Sequence, residues 1–93
     1  MKSISIGDAI KEFLQSQGFT EKIEQADVIR MWPEIVGDKI ASKTEAKRIS
    51  KGMLMVKVSD SAWRNELVYM RENLRKKINS RIGKDLVKEI KFN

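Results

Sequence analysis

Apolar residues recur every three to four positions near the start of the chain. Ile6, Ile10, Phe13 and Leu14 fall at helical spacing between Ser5 and Gln17, which predicts a short first helix. Ser5 or Asp8 is placed to cap its start, and Gly18 stands where a helix C-terminus favours positive φ. Phe19 is expected to pack just after it. A second helix is capped by Thr20, with Glu21 in the first turn where the helix dipole favours a carboxylate. Its apolar positions are Ile23, Ala26, Ile29, Trp32, Ile35 and Val36. Pro33, the only proline, is expected to end or kink this helix, or to open a new turn over 33–36, with Gly37 as the stop. Residues 38–44 read as a short helical turn or a loop.

The period then changes to two. Glu45 to Ser50 is a polar, strand-like stretch with Ile49 as its clear apolar residue, and Lys51-Gly52 makes a hairpin turn. Met53 to Ser59 alternates, with Leu54, Val56 and Val58 on the core face and Met53, Met55 and Lys57 on the other. Ser59-Asp60-Ser61 caps a long third helix that runs to Ile82 and stops at Gly83. Trp63, Leu67, Met70, Leu74 and Ile78 form its apolar stripe. Leu86 to Phe92 reads as a last strand, with Leu86, Ile90 and Phe92 inward and Val87, Glu89 and Lys91 outward. The order is α-α-β-β-α-β: a small three-stranded sheet with a long crossover helix, right-handed if its flanking strands are parallel neighbours. This is an α+β, two-layer plan, that of KH-like domains. Ninety-three residues make one domain over 1–93 with a thin core.

Charge adds a functional direction. Residues 1–38 hold four Lys/Arg and seven Asp/Glu, a net −3; residues 39–93 hold fifteen and six, a net +9. A basic segment of that size attracts a polyanion, and nucleic acid is the usual one. Cysteine and histidine are both absent, which removes disulfides, thiolate metal sites and the readiest proton shuttle near neutral pH. No P-loop or dinucleotide fingerprint occurs, and no run of apolar residues is long enough for a membrane span. An enzyme is the weakest reading; no cofactor, metal, small-molecule substrate or membrane is implied. The N-terminus lacks an apolar signal core, so the chain reads as mature cytoplasmic sequence.

The candidate chemistry is therefore cationic. Arg64, Arg71 and Arg75 lie within about 40° of each other on one flank of the third helix, placed to grip successive phosphates. The competing reading is a solvated edge with Arg71 or Arg75 paired to Glu72. Lys76, Lys77, Arg81 and Lys84 gather at the helix C-terminus, where the dipole alone favours cations. At roughly 33 Å the helix is longer than its strands, so its last turns are expected to overhang the sheet. Lys47, Arg48 and Lys51 come from the hairpin, while Lys57 and Lys91 share an outward sheet face with Met55 and Val87. Trp32 and Trp63 sit at core spacing and read as packing residues; Tyr69 is the exposed aromatic. The glycines, Gly7, Gly18, Gly37, Gly52 and Gly83, form no GxxG loop, so the usual KH clamp on single strands is missing.

Several stretches resemble a known family. Trp32-Pro-Glu-Ile-Val-Gly37, Ile40-Ala41 with Thr44, Gly52-Met-Leu-Met-Val-Lys-Val58, Ser61-Ala-Trp-Arg-Asn-Glu-Leu67, Ile78-Asn79 and Ile82-Gly83 are similar to the DciA-like family of small bacterial proteins. Trp32, Gly37, Gly52, Trp63, Glu66 and Leu67 carry the match, which covers nearly the whole chain. The resemblance implies a KH-like domain that binds DNA and serves the replicative helicase as operator or loader. Family members often add a basic, disordered tail, and this sequence closes at Asn93. Two alternatives fit the charge: an RNA-binding module, or an adaptor whose basic face docks an acidic protein.

Overall fold

The computed structural model describes residues 5–16 and 18–93. The Leu14 side chain and Gln17, both in the predicted first helix, lie outside the described residues. Seven elements are formed: α1 (Ile6–Ser16), α2 (Phe19–Val36), α3 (Asp38–Ala41), β1 (Thr44–Ser50), β2 (Met53–Val58), α4 (Ser61–Ile82) and β3 (Glu89–Phe92). The domain is α+β, in the order expected, with α3 as the short turn between α2 and β1.

Ser5 caps α1, its Oγ accepting from the Asp8 N–H at 3.1 Å. Gly18, at φ 76°, is the joint, and α2 starts directly after it. Phe19 and Thr20 thus lie inside α2 rather than before it. The helix also runs through Pro33 and ends at Gly37, whose N–H donates to the Pro33 carbonyl at 2.9 Å. Pro33 sits in the last turn on an exposed face, where the missing N–H removes a single bond. The buried face of α2 is Val28, Trp32 and Ile35, whereas Ile23 and Ala26 are exposed. The expected stripe is corrected accordingly. Apolar residues occur on opposite sides of α2, and periodicity alone does not choose which side meets the sheet.

The sheet order is β1-β2-β3, β1 antiparallel to β2 and β2 parallel to β3. Lys51 and Gly52 have φ of 52° and 80°, the pair of left-handed residues a tight type I′ hairpin demands. In β1, Ala46 pairs with Val56 and Arg48 with Met55, so Lys47 is the extra residue of a bulge. The bulge explains how Ala46 and Ile49, three apart, both pack against the core.

The helices cover one sheet face: α2 contacts β1 and α4, and α4 contacts β2 and β3. Leu54, Val56 and Ile90 meet Leu67, Leu74 and Ile78 in the core between them. Val87, expected outward on the last strand, is fully buried, and the strand starts only at Glu89. The cause is Asn79, whose carboxamide accepts from the Val87 N–H and donates to the Val87 carbonyl, both at 2.8 Å. Those bonds tie residues 84–88 to α4 as a loop. The expected overhang of α4 is also absent: Ile78 is fully buried and Ile82 packs against the core.

The molecule is long, 61 × 19 × 19 Å, with a radius of gyration of 16.1 Å. A compact chain of this length has about 12 Å. Among the described residues α1 contacts α2 and no other element. No described helix is long and apolar enough to cross a membrane.

Candidate nucleic-acid interface

The ends of α4 are fixed locally. The Asp60 carboxylate accepts from the Ala62 and Trp63 N–H groups at 2.8 and 3.2 Å, and Gly83 closes the helix at φ 87°. That registers Arg64, Arg71 and Arg75 on one flank. The flank faces the β3 side, since Arg75 reaches Asp85 and its neighbour Asn79 reaches Val87. Arg81, on the opposite flank, reaches Glu34 of α2.

The predicted cations divide by pairing. Arg75 is held by Glu72 and, at 3.3 Å, by Asp85. Its hydrogen bond lowers the Glu72 pKa and raises its own further. Asp85 is lowered too, chiefly by its hydrogen bond from Lys88 and that cation's charge. Arg81 is paired with Glu34, Lys47 with Glu45 at 3.1 Å, and Lys84 Nζ lies 2.6 Å from Glu24 Oε1 without hydrogen-bond alignment. Arg48, Lys51, Arg64, Arg71, Lys76 and Lys77 have no ion pair among the described residues.

Arg64 and Arg71 stand apart within this group. Both are half-buried, and the Nε of each is buried without a hydrogen-bond partner. A buried donor left unmade costs about 1–3 kcal/mol and calls for an explanation. The two are one heptad apart, about 10 Å along the helix axis and some 20° in rotation. The Nε atoms are closed to solvent, but each side chain stays partly exposed and free of a carboxylate partner among the described residues, so its outer guanidinium edge is open to an oxyanion.

The open sheet face adds a second set. Register places Arg48 opposite Met55 and Met55 opposite Lys91, a row across all three strands. Lys57 and Lys91 are exposed beside half-buried Met53 and Met55. Val87 does not share this face. The hairpin cation Lys51 lines a cavity of about 420 Å³ with Glu21, Gly52, Lys84, Asp85, Leu86 and Lys88. Lys84 and Lys88 are engaged there by carboxylates, so the cavity is not a concentrated cation site.

Trp32 is buried, its Nε1 donating to Thr44 Oγ1 at 2.9 Å, which in turn donates to the Ile40 carbonyl at 2.8 Å. Trp63 is half-buried with Lys39 Nζ 5.8 Å from its ring centroid. Both pack, while Tyr69 is 88% exposed. Of the other family-motif residues, Leu67 is fully buried, Glu66 is exposed, and Gly37, at φ 88°, breaks α2 from α3. Among the described residues no cluster of acidic side chains could hold a metal ion.

Comparison with known proteins gives one consistent result. A family model described as "Dna[CI] antecedent, DciA" matches residues 5–92. A UPF0232 protein of Mycobacterium tuberculosis (strain H37Rv) is 28% identical over 87 residues, 94% of this chain and 46% of that one. A UPF0232 protein of Mycolicibacterium smegmatis is 27% identical over 87 residues, 94% of this chain and 45% of its own. One from Corynebacterium glutamicum is 26% identical over 88 residues, 95% and 49% respectively. The chain thus spans about half the length of the curated relatives it matches.

Proposed function

The chain belongs to the DciA family, and from that premise we propose that it is a non-enzymatic DNA-binding accessory of bacterial DNA replication, which contacts or helps to load the replicative helicase. Residues 1–93 act as one KH-like domain in the cytoplasm. The observation that carries this reading is the pair Arg64 and Arg71, one heptad apart on the α4 flank beside β3, each partly exposed and without an ion pair among the described residues. Lys91 and Arg48 on the open sheet face, and Lys51, Lys76 and Lys77 elsewhere, are further cations without an ion pair among the described residues and form separate, secondary contact points in this proposal. Arg75, Arg81 and Lys84 brace the structure through their carboxylate partners and add less to phosphate contact. The spacing of Arg64 and Arg71 supports backbone contact: about 10 Å equals three steps of B-form DNA at 3.4 Å each along the axis. Binding is therefore largely independent of base sequence.

The test is affinity for single- and double-stranded DNA, and for RNA of the same sequence, across salt. Each phosphate contact contributes nearly one unit to the slope of log affinity against log salt. R64A/R71A is expected to lower that slope on duplex DNA by about two, and R75A/R81A to leave it near wild type. Absence of binding at low salt would refute the reading, and tighter binding to RNA would move it to an RNA-binding module. Helicase retained in a pull-down after nuclease supports direct contact; helicase lost on nuclease treatment removes that part of the proposal.

A further inference from the structure

Five of the seven large hydrophobic side chains that are exposed among the described residues lie on α1 and the start of α2: Ile6 (81%), Ile10 (54%), Phe13 (60%), Phe19 (46%) and Ile23 (54%). They form two stripes of identical spacing. Ile6, Ile10 and Phe13 follow an i, i+4, i+7 pattern on α1. Phe19, Ile23 and Ala26 repeat it on α2, half a turn away from the buried Val28. Neither stripe covers the other. The left-handed joint at Gly18 sends α1 away from the body of the domain, and among the described residues α1 touches no element other than α2.

We propose that two copies of this chain pair through these arms, the α1 stripe of one copy lying on the outer α2 stripe of the other, reciprocally about a two-fold axis. The matched spacing lets one set of side chains fill the gaps of the other. Charge does not oppose this occupant: Arg30, on the α2 stripe, is already neutralised by Asp27 at 3.0 Å, and Lys11 and Glu12 both lie about 100° from the edge of the α1 stripe. The arms also lie outside residues 39–93, which hold the net +9, so the two copies do not meet through their basic halves. Five large side chains at these exposures leave on the order of 500 Å² of apolar surface per copy. Reciprocal burial then reaches roughly the 1,000 Å² that a specific interface requires. The pairing is isologous and closes on itself.

The experiment measures mass against concentration by light scattering on the nucleic-acid-free chain. The mass is expected to rise from 10.7 kDa towards twice that value. I10D alone and I23D alone should each return it to the monomer with an unchanged circular dichroism spectrum. The absence of cysteine allows a second readout that does not depend on those variants folding. An equal mixture of I10C and I23C chains, each otherwise wild type, should oxidise to a crosslinked heterodimer faster than either alone. A wild-type mass that stays at the monomer overturns the proposal. So does a dimer that resists both substitutions, or a mixed crosslink no faster than the single ones. If I10D abolishes helicase retention without any self-association of the wild type, the stripe belongs to that partner and the two-copy reading falls. None of these readouts depends on DNA binding.

Discussion

Asn79 does the work of a strand residue from within a helix. Its carboxamide bonds the N–H and the carbonyl of Val87 and also donates to Asp85 at 3.0 Å. Val87 is completely buried, so truncating the carboxamide strands a donor and an acceptor out of water. Asn79→Ala is expected to cost about 2–4 kcal/mol, read as a lowered urea midpoint. Asn79→Asp should cost at least as much, because it loses the donor and sets a carboxylate beside Asp85. Nothing in residues 84–88 reveals this arrangement, since it depends on a side chain eight positions earlier; alternation alone turned Val87 outward. Gly52 is more legible. Its φ of 80° announces a glycine turn, yet the structure adds a reason sequence does not: its carbonyl accepts from the N–H groups of Lys88 and Glu89 at 2.8 and 3.2 Å. The tryptophans were readable as packing residues because both sit in register with helical stripes.

Elements with local stop and start signals were the most readable. Asp60 and Gly83 bracket α4, and Lys51-Gly52 closes the hairpin. The bulge at Lys47 was not readable, because a single extra residue leaves no mark in a mostly polar strand. Nor was the buried side of α2, whose apolar residues lie all round. The cationic character of α4 was plain from composition, but the pairing of each cation was not. Arg81 meets Glu34 across forty-seven residues, a partnership only the packing of α2 on α4 creates. The Glu72–Arg75–Asp85–Lys88 chain gives α4 and its following loop an acid sensitivity. Glu72 and Asp85 both titrate lower in the fold than in the unfolded chain. Their stabilising contribution is therefore complete above the ordinary carboxylate range and is lost as pH falls through the depressed values. The urea midpoint is expected to drop over that acidic window, and R75A to flatten the part due to Glu72. Both carboxylates are exposed, so the effect is modest.

At the scale of the whole molecule, length is the property that sequence did not announce. Helical periodicity placed α1 as an ordinary amphipathic helix, and such a helix normally lays its apolar face on the domain's own core. Instead the arm extends, and the radius of gyration is 16.1 Å where a compact chain has about 12 Å. X-ray scattering on I10D, the variant expected to be monomeric, should return a value near the larger figure. A value near the smaller would mean that α1 folds back. The imbalance between a −3 start and a +9 remainder was fully legible, and it agrees with the proposals that set association at the arm and polyanion contact on the rest. The two tryptophans give these events an optical signature. Trp32, buried and hydrogen-bonded, is expected to be shielded from dissolved quenchers, and half-buried Trp63, with Lys39 over its ring, is expected to be the indole that iodide quenches. Loss of that difference in urea would report the opening of the core, and a change confined to the accessible indole on adding DNA would report contact near the start of α4.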